Sequence, residues 1–158
     1  MSYLLYFPIE YVKIPNLSRN FDPEWNTNGK LEQTAEFLLD WAKKQGLKGA
    51  TFEIIQEKGR TPLIFIEVEG TSKDSDTVLL YGHFDKQPWM TGWREGLGPT
   101  TPVIEGDKLF GRGAADDGYA LFGSVLAVKT LQEHGIPHPR CIIFIEGDEE
   151  SGRDKLLI

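Results

Sequence analysis

The chain has 158 residues, of which 40% are hydrophobic and 26% charged, a composition typical of one globular domain with its own core. Its 17 Lys and Arg against 24 Asp and Glu give a net charge of −7, which argues against nucleic-acid binding, since that needs a basic face. The same balance gives no basis for attraction to an anionic membrane. No apolar run has transmembrane length and no signal peptide is recognised. With its single cysteine, Cys141, taken as a core residue, the chain is predicted to be cytoplasmic.

The first half of the chain predicts helices followed by a pair of strands. Residues 3–12 have the composition of a short helix, although Pro8 opposes it. A clear helix is predicted over 30–45, because its apolar residues recur on one face with a 3.6-residue period. The segments 51–55 and 63–68 flank a turn-like sequence and predict an antiparallel pair of strands.

The second half alternates strands with a loop, a hairpin and a helix. The segment 77–81 is apolar throughout and predicts a strand buried on both faces. Residues 84–102 are rich in Gly and Pro and predict a long loop, whereas 103–110 predict a small hairpin. A helix over 118–134 and a strand over 140–145 complete the pattern. This order predicts an α/β fold, a three-layer sandwich with a mixed, mostly parallel central sheet.

Acidic and imidazole side chains follow two of the predicted strands and open the last helix. Adjacent carboxylates repel one another, and a bound cation offsets that repulsion. The clusters therefore favour one metal-centred hydrolytic site. Its candidate residues are His83 and Asp85, Asp116 and Asp117, and Glu149 and Glu150.

Each cluster also has an ordinary explanation when it is taken alone. His83 and Asp85 would be a surface pair, Asp116 a helix N-cap, and the Glu149–Glu150 pair a solvated acidic turn. However, residues two apart on an extended backbone face the same side, so Asp85 is placed to orient a metal-bound His83. The remaining histidines, His134 and His138, flank a connection that contains Gly and Pro, and they are predicted to lie on the surface.

The clusters belong to three longer motifs, which are more specific in combination than singly. They are Tyr-Gly-His-Phe-Asp at 81–85, Leu-Phe-Gly-Arg-Gly-Ala-Ala-Asp-Asp-Gly at 109–118 and Glu-Gly-Asp-Glu-Glu-Ser-Gly at 146–152. In this order they resemble the di-zinc metallopeptidase family that includes carnosinase and cytosolic non-specific dipeptidase, with aminoacylases and glutamate carboxypeptidases as relatives. The resemblance extends from about residue 9 to the end of the chain.

The resemblance implies a set of metal ligands and a mechanism. His83 would bind one Zn²⁺, Glu150 the other, and Asp116 would bridge them, with Mn²⁺ or Co²⁺ as substitutes. Glu149 would be the general base and then the general acid, and Asp85 would orient His83. A cis peptide bond after Asp116 is also implied. One departure is local, since Gly and Tyr follow the Asp pair here, where the family commonly has Lys.

Three interpretations of function stay open at this stage. The first is a zinc dipeptidase or related carboxypeptidase acting on small peptides; the second is an amide deacylase acting on N-acyl amino acids. The third is a non-catalytic fragment or binding module. The family takes further ligands and a lid domain from sequence beyond the Glu-Glu motif, and residues 155–158 are typical of the start of another helix. Residues 1–158 are therefore predicted to be the N-terminal portion of a catalytic domain, inactive alone, from an enzyme that is a homodimer at full length.

Overall fold

The computed structural model describes residues 3–72 and 76–152, so the predicted helix start at 155–158 lies outside the described residues. Two one-turn 3-10 helices, at Arg19–Phe21 and Glu149–Ser151, supplement the regular elements. The helices are α1 (Tyr3–Lys13), α2 (Lys30–Lys44) and α3 (Ala120–Glu133), and the strands are β1 (Ala50–Ile55), β2 (Leu63–Val68), β3 (Val78–His83), β4 (Val103–Glu105), β5 (Lys108–Phe110) and β6 (Cys141–Glu146).

The central sheet has four strands in the order β1-β2-β6-β3. β2 is antiparallel to both β1 and β6, whereas β3 is parallel to β6. The α/β class, the mixed sheet and the predicted antiparallel pair are confirmed. Because one of the three pairings is parallel, the expectation of a mostly parallel sheet is wrong for the described part of the chain. The short turn between β1 and β2 permits only antiparallel pairing.

Helices α2 and α3 pack against the same face of the sheet. The rings of Trp41 on α2 and Phe122 on α3 meet edge to face, with centroids 4.6 Å apart. Below them lie the fully buried Ile66 of β2 and Ile143 of β6, which belong to the same hydrophobic cluster. These two helices and the sheet form two layers.

Strand β3 is exposed, contrary to the prediction for 77–81. Leu79 is 61% exposed and Tyr81 42%, and the Tyr81 ring stacks on Phe144 of β6 at 6.3 Å. The apolar run predicted burial on both faces. However, β3 is the last strand of the sheet among the described residues, and α3, the helix that contacts it, lies on the other face. An apolar composition therefore does not ensure burial when a strand lies at a sheet edge.

Most of the remaining predictions from sequence are confirmed. The helix predicted over 30–45 ends next to Gly46, whose φ of 70° suits a helix stop. The small hairpin over 103–110 forms, and α1 continues through Pro8. Cys141 is buried, as expected. The long loop over 84–102 contains no helix or strand.

The two other histidines differ in their surroundings. His134 is exposed, as predicted, but His138 is 1% exposed, so its predicted surface position is wrong. Its backbone N–H donates to the hydroxyl of Thr71 at 2.9 Å, and its ring Nδ1 lies 2.8 Å from the Pro139 carbonyl. The ring Nε2 also lies 3.2 Å from the side-chain amide nitrogen of Gln132, so both nitrogens of the buried imidazole have polar partners.

None of the helices formed by residues 3–72 and 76–152 combines the length and apolarity that crossing a bilayer requires.

The exposure of β3 predicts unequal effects for two truncations to alanine. Ile143→Ala should lower the free energy of unfolding by about 2–5 kcal/mol, because it opens a cavity in the core. Leu79→Ala should lower it by less than about 1 kcal/mol, because the side chain is largely exposed. Urea denaturation of both variants measures the difference, and equal losses would contradict the assignment of β3 as an exposed edge.

Candidate metal centre

The candidate site lies where β3 and β6 end side by side. Their parallel register pairs His83 with Glu146, so both strands deliver the residues that follow them to the same edge of the sheet. Open α/β sheets bind ligands at this edge. The one-turn helix Glu149–Ser151 follows β6, and Asp116 lies just before α3.

The predicted ligand residues converge at this edge. One nitrogen or oxygen atom from each of His83, Asp116 and Glu150 lies within 4.8 Å of the other two. The imidazole Nε2 of His83 is 3.2 Å from Oδ1 of Asp116 and 3.9 Å from Oε2 of Glu149. The predicted convergence is confirmed, whereas the metal-binding role of these residues stays a prediction.

Two glycines near the site lie against other elements, Gly82 of β3 against α3 and Gly118 against α1. A Cβ atom on Gly82 would lie 2.3 Å from Cβ of Ala120, and one on Gly118 would lie 2.1 Å from the Tyr11 ring. Neither position has room for a side chain. The peptide bond between Asp116 and Asp117 is cis, as the resemblance implied, and Oδ2 of Asp117 accepts the backbone N–H of His83 at 3.3 Å.

The ring of His83 has acceptors on both sides. Its Nδ1 lies 3.2 Å from the backbone carbonyl of Asp85 and 3.5 Å from that residue's Oδ1. Both ring nitrogens therefore meet acceptors. With a proton on Nδ1, directed at Asp85, Nε2 is the nitrogen that faces Asp116 and Glu149, which is the orientation that metal ligation requires.

Burial of His83 opposes its protonation, but the surrounding carboxylates outweigh this effect. Asp85 contributes most, and Asp117 and Glu149 add to it, so the pKa of His83 rises to about 9. The imidazolium is therefore a positive charge that faces these acids.

Asp85 makes contacts that the motifs did not reveal. It is fully buried, and its carboxylate accepts the backbone N–H of Glu149 at 3.2 Å and of Glu150 at 3.1 Å. Asp85 thus connects the end of β3 to the turn that carries both glutamates. The spacing of His83 and Asp85 indicated only that these two residues face one another.

One carboxylate oxygen of Glu150 accepts a hydrogen bond, whereas the other has no hydrogen-bond partner among the described residues. The side-chain amide of Gln87 donates to Oε2, whereas the buried Oε1 has no hydrogen-bond partner among the described residues. Burial raises the pKa of this carboxyl, and the nearby Asp116 adds to the rise. An unpaired buried carboxylate oxygen is costly, so Oε1 fits a site for a cation. Gln87 was missed because it lies in the loop, two residues after the His-x-Asp motif.

An imidazole and several carboxylates around one point, at the open edge of an α/β sheet, are an arrangement typical of metal-dependent hydrolases. The sequence model of Peptidase family M20/M25/M40 matches residues 79–157, which is half of the 158 residues. The chain therefore belongs to this peptidase family, and the resemblance inferred from the three motifs is confirmed.

Relatives within the family carry different names. The Cys-Gly metallodipeptidase dug1 of Schizosaccharomyces pombe is 32% identical over 154 residues, which cover 92% of this chain and 31% of that relative. The succinyl-diaminopimelate desuccinylase of Gluconobacter oxydans is 40% identical over 80 residues, covering 49% of this chain and 20% of the relative.

A solved structure extends the likeness over almost the whole chain. The M20 family metallo-carboxypeptidase Sso-CP2 from Sulfolobus solfataricus superposes with a TM-score of 0.76 at 27% identity, covering 97% of this chain and 32% of that one. The chain thus spans about a third or less of the length of these relatives.

The raised pKa of His83 predicts a pH dependence for the metal-free chain. A pKa of about 9 in the folded state exceeds the ordinary value of 6.5, so the stabilisation is complete below pH 6.5 and is lost as the pH rises through 9. An NMR titration of the imidazole in EDTA should show this pKa. Denaturation midpoints should fall over the same range, and less so in His83→Gln. Titration of His83 near 6.5 would contradict the prediction.

Proposed function

We propose that this chain is the N-terminal part of the catalytic domain of a metal-dependent peptidase that hydrolyses the amide bond of dipeptides or other small peptides. Membership of the peptidase family supports the reaction class, and the name of the dug1 relative supports a dipeptide substrate. The observation that carries the proposal is the convergence of His83, Asp116 and Glu150 within 4.8 Å.

The donor atoms at the site suit zinc. Imidazole nitrogen and carboxylate oxygen are both ordinary ligands of Zn²⁺. In this proposal His83 would hold one ion and Glu150 a second, and Asp116 would be a ligand shared by both. When bound, the ions lower the pKa of a coordinated water and polarise the scissile carbonyl.

Glu149 is the proposed proton carrier. Its Oε2 lies 3.9 Å from Nε2 of His83, and its side chain is 35% exposed, so it borders the site and remains accessible to substrate. Its carboxylate takes a proton from the attacking water and delivers it to the leaving amine. Asp85 contacts the ring of His83 and accepts the backbone N–H of Glu149. It therefore fixes the position of the proton carrier relative to the metal ligand.

A second candidate is hydrolysis of the amide bond of N-acyl amino acids. The desuccinylase relative favours it, because its name denotes removal of an acyl group. The same five residues would serve either reaction. Comparing kcat/KM for dipeptides and for N-acyl amino acids distinguishes the two. A homodimer at full length and a cytoplasmic location remain parts of the proposal, supported by the family resemblance.

Glu149→Gln should abolish turnover in the full-length enzyme while leaving its metal content nearly unchanged. The amide keeps the size of the side chain but cannot accept the proton, and such residues contribute about 10²–10⁴-fold to the rate. Dipeptide hydrolysis and elemental analysis of the same preparation test both halves. Loss of the metal, or near-normal activity, would mean that Glu149 has been given the wrong role.

Glu150→Gln is the matched variant at the neighbouring position. It removes a charged donor from the proposed metal site, so metal affinity should fall by at least about tenfold, a loss typical even of residues that only support ligands. Titration with Zn²⁺ against a competing chelator measures this change. If Glu150→Gln kept its Zn²⁺ affinity but lost activity, Glu150 would be the proton carrier, and the roles proposed for the two glutamates would be reversed.

A further inference from the structure

The turn that carries Glu149 and Glu150 is only weakly stabilised by its own hydrogen bonds. It is a single turn of 3-10 helix, Glu149–Ser151, with no buried residue. Short 3-10 turns have poor hydrogen-bond geometry, and the bond from the N–H of Ser151 to the carbonyl of Asp148 is long at 3.4 Å. The positions of the two carboxylates therefore depend on contacts from other elements.

Asn20 makes two hydrogen bonds to the far end of this turn. Its backbone N–H donates to Oγ of Ser151 at 2.9 Å, and its side-chain amide donates to the backbone carbonyl of Ser151 at 2.7 Å. The hydroxyl of Ser18 shares a further hydrogen bond with the same Oγ at 2.5 Å. These contacts join residues more than 130 positions apart in sequence.

Arg19 holds the near end of the turn. Its Nε lies 3.0 Å from Oδ1 of Asp148, and each side chain is only 16% exposed. An ion pair at this depth is less screened than a surface pair, and removing one partner leaves the other charge uncompensated. Asp148 immediately precedes Glu149, so this pair sets where the turn begins.

The same segment is attached to the end of β3. Ser18 is fully buried, its N–H donates to the carbonyl of Lys86 at 2.9 Å, and the N–H of Lys86 donates to the carbonyl of Asn16 at 3.1 Å. Lys86 directly follows Asp85. The segment therefore contacts both of the strand ends that carry the proposed site.

We propose that Ser18, Arg19 and Asn20, called the brace below, are positioning residues that hold Glu149 and Glu150 at their working distance from His83. This inference rests on the proposed function. In this proposal the brace acts on catalysis through its contacts with Asp148 and Ser151. A displacement of about 1 Å at a reacting group can lower a rate by about 100-fold, so loosening the brace should impair catalysis more than it impairs folding.

Asn20→Ala in the full-length enzyme is the principal variant. Its kcat should fall by at least about tenfold with KM within about twofold of wild type, because the proton carrier is misplaced while substrate binding is retained. The matched control is Asn28→Ala. Asn28 also donates a side-chain hydrogen bond of 2.7 Å, to Asp22, and has no bond to the turn. The Asn28→Ala variant should lower the melting temperature by about as much as Asn20→Ala does, and it should leave kcat unchanged.

Arg19→Gln provides an independent variant should Asn20→Ala fail to fold. It should show the same loss of kcat, and Arg19→Lys should recover most of it, because the lysine ammonium can still pair with Asp148. A purely structural role predicts instead that kcat follows the melting temperature in all the variants, including Asn28→Ala.

Hydrogen exchange tests the brace without reference to activity. The amides of Glu149 and Glu150, which donate to Asp85, should exchange at least about tenfold faster in Asn20→Ala or Arg19→Gln than in Asn28→Ala. Equal exchange, or equal kcat in brace and control variants, would overturn the inference. If wild type hydrolyses neither dipeptides nor N-acyl amino acids, the proposed function fails, and the exchange rates still decide whether the brace holds the turn.

Discussion

The buried carboxylate of Asp85 is the interaction on which the arrangement of the site depends. A fully buried anion needs hydrogen-bond donors or positive charge, and Asp85 finds them in the backbone N–H groups of Glu149 and Glu150 and in the ring of His83. One side chain thereby joins the end of β3 to the turn after β6. The parallel register of the two strands makes this possible, since it brings both carboxyl ends to one edge.

The second constraint is the number of carboxyl side chains that lie close together at this edge of the sheet. Burial raises the pKa of Asp117 and Glu150, and it raises that of Asp148 to about 6 despite the nearby Arg19. Each rise means that the charged form is disfavoured in the metal-free fold. A cation would reverse this balance, because it favours deprotonated ligands and couples its own binding to folding. In the proposed enzyme, catalysis and local stability would therefore both depend on the bound metal.

Several features could be predicted from the sequence because their causes are local. The apolar period over 30–45 matches α2 because helix geometry alone places those residues on one face. The strand pair and the hairpin followed from short turns, which leave few ways for two strands to pair. The three clusters were expected to form one site because the residues at element ends in α/β folds meet at one edge, and the family resemblance then implied His83, Asp116 and Glu150 as ligands.

Sequence alone thus determined most of the elements, the α/β class and the family, since these depend on backbone periodicity and on short motifs, and the same motifs predicted the residues of the candidate site. Only the tertiary structure decided which strand lies at the edge, and so why the apolar Leu79 is exposed. It likewise placed His138 in the interior and set Asn20 against Ser151. These outcomes depend on which distant segments pack together, and no local pattern carries that information, because each contact is made between residues far apart along the chain.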